Sequence, residues 1–295
     1  MQYTNKYLSC ELKFLEVAIL DEDDLRHLSK YQNETNVIIS ITDLQFLTYF
    51  TQIERLIITS GKAPYNASLI LELQQNLREL KLDYDETEPF TDWCIDISKL
   101  NNLEYLFSRS SYNFRGVANS KSLKTLIVHN WYSKDLSQLK DSSIDSLSIG
   151  CGNLKNLCGI EDVPLSVLSL SNLRNLTDIT CIEKMPLKIL EIDNCNNISC
   201  IQNISSPTLE YLMVYGKIRV QNALFIKNYS RIKRVMFDIM IEDGDLSVLD
   251  SLESAILLTD RRHFNRQNSQ LPKASYKYII SSIPQWRYLY SNRKI

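Results

Sequence analysis

Large apolar residues recur along this chain at the first, fourth and sixth places of a short segment, with polar residues between them. "LKILEI" from Leu187 shows the pattern, and "LSVLSL" from Leu165 and "LEYLMV" from Leu209 flank it. Strict alternation would mark an ordinary half-buried strand, and spacings of three and four an amphipathic helix. This pattern is neither. It predicts a short strand whose fourth and sixth residues point inward, joined to a turn that brings the first residue in beside them.

Ten copies can be placed, starting at Ile53, Leu77, Leu103, Leu123, Ile144, Leu165, Leu187, Leu209, Ile232 and Leu252, with successive steps of 24, 26, 20, 21, 21, 22, 22, 23 and 20 residues. Of the thirty apolar places, only Ser108 and Ala255 do not hold Val, Ile, Leu or Phe. Asn130, Cys151, Asn172 and Asn194 share the eighth place, and Trp131, Gly152, Leu173 and Cys195 the ninth.

This pattern resembles that of the leucine-rich-repeat family, LxxLxLxxN/CxL at roughly 20–29 residues per repeat. The resemblance implies an α/β solenoid, a horseshoe with a concave parallel β-sheet, built from ten clear repeats and irregular N- and C-terminal caps. One unit cannot bury its apolar edge alone, so units stack; each buried Leu or Ile contributes roughly 1.5–3 kcal/mol. It also implies a ladder of polar side chains after the strands, bonding backbone groups at the turn. Here that ladder is degenerate, because the family's Asn or Cys belongs at the ninth place and the Asn residues stand at the eighth.

A single domain over residues 1–295 is expected, with irregular repeats in 1–52, ten units in 53–258 and a basic aromatic cap in 259–295. "LKFLEV" from Leu12 fits the motif and "VIISI" from Val37 fits it loosely, so the solenoid should begin near residue 10. "DEDDLRHLSKY" between them reads as a capped helix, its acids favouring the positive end of the helix dipole. "APYNASLILELQQN", "DYDETEPFTDWCIDISKLNN" and "QNALFIKNYSR" leave room for helices or loops on the convex side.

Composition narrows the setting. With 44% hydrophobic and 23% charged residues the chain reads as globular, and no apolar run reaches the length that would span a bilayer. The N-terminus shows no signal peptide. Seven cysteines without a CxxC pair suit buried free thiols in a reducing cytoplasm. The formal charge of -2 conceals a tail over residues 259–295 with eight basic residues and one acid, Asp260, against an acidic body.

No Walker A, GxGxxG, GxSxG or HExxH arrangement occurs. His27, His129 and His263 are far apart, and Cys195 and Cys200 have no histidine near them. The "DEDD" and "DYDETE" runs read as a helix's first turn and a solvated loop. No catalytic residue, metal or cofactor is assigned.

The third, fifth and seventh places of each strand should line the concave face. Small residues such as Ser146, Ser148, Gly150, Ser169 and Ser171 fill its centre. The candidate protein-binding residues are Tyr105, Phe107, Arg109, His129, Trp131, Glu191, Asp193, Tyr211, Met213, Tyr215, Arg234 and Asp238. Exposed aromatics and Met beside charged groups are typical interface chemistry. Protein recognition follows from the resemblance. Free-standing members are similar to bacterial immunity proteins, which bind and neutralise a cognate toxin in the cytoplasm. Two alternatives stay open: a substrate-recognition adaptor or host-cell effector, and nucleic-acid binding through the basic tail. Membranes and small-molecule substrates are set aside.

Overall fold

A strand whose fourth and sixth side chains must be dry needs a second strand beside it, in register. The computed structural model supplies that at every repeat. It describes residues 2–4, 13–18, 28–60, 64–73, 75–84, 94–198 and 201–273. These fall into two compact units, one running through Asn130 and the other starting at Trp131.

In the first unit, β1 (Gln2–Thr4) lies antiparallel to β2 (Phe14–Val17), with Gln2 opposite Glu16. From β2 the pairing is parallel, through β3 (Asn36–Ile39), β4 (Arg55–Ile58) and β5 (Glu79–Leu82). Two-residue strands β6 (Ile95–Asp96) and β8 (Phe114–Arg115) pair with each other outside this sheet. The sheet continues through β7 (Tyr105–Ser110) to β9 (Thr125–Trp131). Leu15, Val37, Leu56, Leu80, Leu106 and Leu126 stand in one row. The upstream unit read from Leu12 therefore joins in the motif's register, whereas in the next unit Val37, read as the start of a loose copy, stands in the row of the fourth places.

The second unit repeats the arrangement in β10 (Ser146–Gly152), β11 (Val167–Ser171), β12 (Ile189–Asp193), β13 (Tyr211–Val220), β14 (Arg234–Ile241) and β15 (Ser254–Leu257). Leu147, Leu168, Leu190, Leu212, Val235 and Ala255 form its matching row. Every first, fourth and sixth place of the ten repeats is buried except Ile232, which is half-buried. Ser108, the polar exception, is buried as well and donates through its hydroxyl to the carbonyl of Ser110 at 2.7 Å.

Among the described residues most return legs contain a short 3₁₀ turn, those after β10 and β12 do not, and no α-helix occurs. Strands repeat every 4.8 Å or so, whereas α-helix axes pack about 8–10 Å apart. A narrow 3₁₀ turn fits the smaller spacing. The apolar residues on these legs come every third place: Leu154, Leu157, Ile160 and Val163, then Leu173, Leu176, Ile179, Ile182 and Met185, then Cys195, Ile198, Ile201 and Ile204, all buried. A spacing of three keeps one face of each leg inward, and in the leg after β11 the segment Thr180–Lys184 winds as a 3₁₀ helix with that period.

Carboxylates and amides cap these turns. Asp96, Asp135, Asp178 and Asp245 each accept, at Oδ1, the backbone N–H and the hydroxyl of the Ser or Thr two residues on. Asp43, Asn156 and Asn222 accept the N–H alone in the same way.

The last strand is closed by the segment after it. Ala255 N–H donates to the carbonyl of Pro272 at 2.8 Å, Leu257 N–H donates to Asn268 Oδ1 at 3.0 Å, and Leu271 is buried. Within the expected cap of 259–295, residues 260–272 thus cover the edge. The "DEDD" run, most of "DYDETE", Cys10, Cys200, His27 and the tail from residue 274 lie outside the described residues.

Candidate protein-binding faces

In the first unit, Tyr105, Phe107 and Arg109 alternate along β7 with the inward Leu106 and Ser108, so they stand half-buried on the face away from the core. Their neighbours on β5 hold them in place. The ammonium of Lys81 lies 4.9 Å from the centre of the Phe107 ring, within cation–π range. Arg109 bridges to Asp83 Oδ1 through Nε at 2.9 Å and Nη2 at 2.8 Å, while Lys81 reaches Asp83 Oδ2 at 3.0 Å. Partial burial would raise the Asp83 pKa, but the two cations outweigh it and hold the carboxyl below its usual range. Arg55 and Glu79 form a further pair at 3.0 Å. His129 is exposed near the end of β9. The result is an aromatic patch framed by paired charges.

In the second unit the register sets out two rows. Ser169, Glu191, Met213 and Met236 make one; Ser171, Asp193, Tyr215 and Asp238 make the other. Ser169 donates its hydroxyl to Glu191 Oε2 at 2.7 Å, and Tyr215 donates its phenol to Met236 Sδ at 3.0 Å. The Arg234 guanidinium stacks 5.5 Å from the Tyr211 ring centre and donates to Glu253 at 3.3 Å. Tyr211, Tyr215 and Asp238 are half-buried, and Arg261 approaches Asp238 to 3.8 Å.

Burial divides the candidate residues. Trp131 is wholly buried, its indole N–H donating to the carbonyl of Asp135 at 2.9 Å. It occupies the ninth place, where Leu173 and Cys195 are also buried, so the turn carries it into the core and not onto a face. Glu191, Asp193, Met213 and Arg234 point away from the core yet are 4%, 9%, 4% and 8% exposed. The expectation that they are exposed does not hold: neighbouring strands lie so close that large side chains on one cover smaller ones on the next. Tyr105, Phe107, Arg109, His129, Tyr211, Tyr215 and Asp238 keep exposed surface.

The thiols also divide. Cys195 is a core residue with Sγ near the carbonyls of Leu170 and Asp193, and burial pushes it up to about 11. Cys158 is exposed, contrary to the expectation of buried thiols. No group of three or more His, Cys, Asp or Glu among the described residues is placed to hold a metal ion, and no described helix is long and apolar enough to cross a membrane.

The sequence reading missed the capping Asp and Asn residues. Their signal was present as "DIS" at Asp96, "DLS" at Asp135 and Asp245 and "DIT" at Asp178, on the return legs of four repeats.

The sequence matches no family model and no curated protein. Solved structures are similar in fold. A leucine-rich-repeat protein of Leptospira interrogans superposes with a TM-score of 0.59 at 16% identity, over 84% of this chain and 72% of that one. An internalin of Listeria monocytogenes superposes with a TM-score of 0.51 at 20% identity, over 84% of this chain and 67% of that one. Both carry the parallel-sheet coil that the repeat pattern implied.

Proposed function

We infer that this chain, folded as leucine-rich-repeat coils, is a non-catalytic protein-binding scaffold that holds and neutralises a cognate toxin in the cytoplasm of the cell that makes both. The observation that carries the binding reading is the placement of half-exposed aromatics at strand positions the core does not use: Tyr105 and Phe107 in the first unit, Tyr211 and Tyr215 in the second. Rings there add nothing to the inward rows. They offer large, stiff contact area at small entropic cost, the chemistry of interface hot spots. The serines beside the second set leave room for a partner's side chains. Asp238 stands half-buried beside Tyr215 in one row, which suits a basic partner surface.

The test begins with capture of the tagged chain from its own cells at gentle salt. A single stoichiometric partner that is toxic when expressed without this chain supports neutralisation. Replacing Tyr211 and Tyr215 together by Ala, and separately Tyr105 and Phe107, should weaken at least one complex about 30-fold or more, the loss of one hot-spot contact. Circular dichroism would verify folding. Undiminished affinity in both variants removes the face reading; several partners of moderate affinity, none toxic, replace it with the adaptor reading.

A further inference from the structure

Two thiols meet on the return legs of adjacent coils in the second unit, away from either sheet face. Asn156 and Asp178 pair in parallel as an isolated bridge, and Thr177 N–H donates to the carbonyl of Lys155 at 3.1 Å. That register sets Cys181 beside Gly159, one place past Cys158. With strands about 4.8 Å apart and roughly 3.3 Å per residue, the two Cα atoms come about 6 Å apart, inside the range a disulfide spans. A second observation fixes the sulfur. Cys181 Sγ lies 3.6 Å from the carbonyl oxygen of Leu157, the residue bonded to Cys158. Covalent geometry then limits the distance from that sulfur to the Cys158 Cα to about 6.4 Å. Both cysteines line one cleft, with Glu161 and Asp178 on its wall.

We propose that Cys158 and Cys181 form a redox-modification site, closed to an inter-coil disulfide by a low-molecular-weight disulfide such as oxidised glutathione. Exposed Cys158 reacts first: its thiolate attacks one glutathione sulfur, forming a mixed disulfide and releasing glutathione thiolate, which takes up the proton that Cys158 gave up. Cys181 then attacks the Cys158 sulfur as thiolate and expels the second glutathione. Two protein thiols are oxidised to one disulfide and one glutathione disulfide is reduced to two thiols. Burial, and next to it the carboxylate of Glu161, push the Cys181 thiol up to about 12. The second step is therefore slow at neutral pH and should accelerate nearly tenfold per pH unit through the alkaline range, since the thiolate is the nucleophile. The closed form ties coils already in register, so the native state needs little rearrangement while the unfolded chain is constrained.

The experiment uses the full chain with oxidised glutathione at pH 7 and pH 9, acid quench, alkylation and peptide mass mapping. Expected is a Cys158 glutathione adduct at pH 7 that converts at pH 9 to a Cys158–Cys181 disulfide, two hydrogens lighter than the thiol form and melting at higher temperature. Cys181→Ser should stop at the adduct, and Cys158→Ser should give neither product at these positions. A wild-type adduct that persists at pH 9, or a bond that joins other cysteines under folded conditions, overturns the proposal.

Discussion

Asn172, Asn194 and Gly216 hold the same eighth place in successive repeats, and all three have positive φ: 56, 54 and 119°. β11 and β12 end just before their Asn, a left-handed residue that starts the return leg, while β13 passes through Gly216 with a shift of register. Asn tolerates this conformation and Gly adopts it freely. These Asn residues bond through their backbone: Asn172 N–H donates to the carbonyl of Asp193 and Asn194 N–H to that of Tyr215, at 2.7 and 3.0 Å. One repeat earlier the positive φ falls one place later, at Gly152 in the ninth place with φ 133°, pressed against the Trp131 carbonyl so closely that a Cβ would collide with it. Gly152→Ala is expected to cost about 2 kcal/mol or more, from backbone strain plus the displaced carbonyl. Asn194→Gly, which keeps the left-handed residue possible, should cost well under that. Urea denaturation at neutral pH measures both, and equal losses would discount the conformational argument.

The return leg is the element that depends most on side-chain hydrogen bonds. Asp135 and Asp245 are held below the usual carboxylate range by the Ser137 and Ser247 hydroxyls first and their N–H groups second. For Asp178 the Thr180 N–H leads and the hydroxyl follows. A carboxyl depressed in the folded state stabilises the fold above its ordinary value of 3.8, and that contribution disappears as pH falls through the depressed value. Asn in the same place keeps the bond to the N–H without titrating, as Asn156 and Asn222 already do. The combined variant D135N/D178N/D245N should therefore lose less stability than wild type between pH 5 and pH 2. Parallel urea midpoints across that range check it; identical acid losses would mean these caps do not contribute to acid sensitivity. The apolar first, fourth and sixth places were fully legible in the sequence, because a core residue announces itself by type and spacing. The return legs were less so. Their period of three was there to be read, but loops long enough for a helix invited the more familiar element.

At the scale of each unit, the strands that end the described sheets are treated differently. β1 turns antiparallel onto β2, and the segment through Asn268 and Pro272 satisfies the outward N–H groups of β15. Truncation after Leu258 would bare those groups and leave Leu258, already 56% exposed, beside an open strand. Such an edge templates pairing with another copy, so the truncated protein is expected to self-associate on size-exclusion chromatography where the full chain does not. A monodisperse truncated monomer would show that the segment is dispensable as a cap.

The sequence alone determined the repeat, its register and the rows of the core, since each copy of the motif states the same burial requirement and parallel stacking is the way to meet it. The face could be named by position but not by exposure. Whether Glu191, Met213 or Arg234 reaches solvent depends on which side chains stand on the strands to either side, and Trp131 went inward because a turn carried it there. The meeting of Cys158 with Cys181 belongs to the tertiary structure too: 23 residues separate them along the chain, and only the stacking of one coil on the next brings them together.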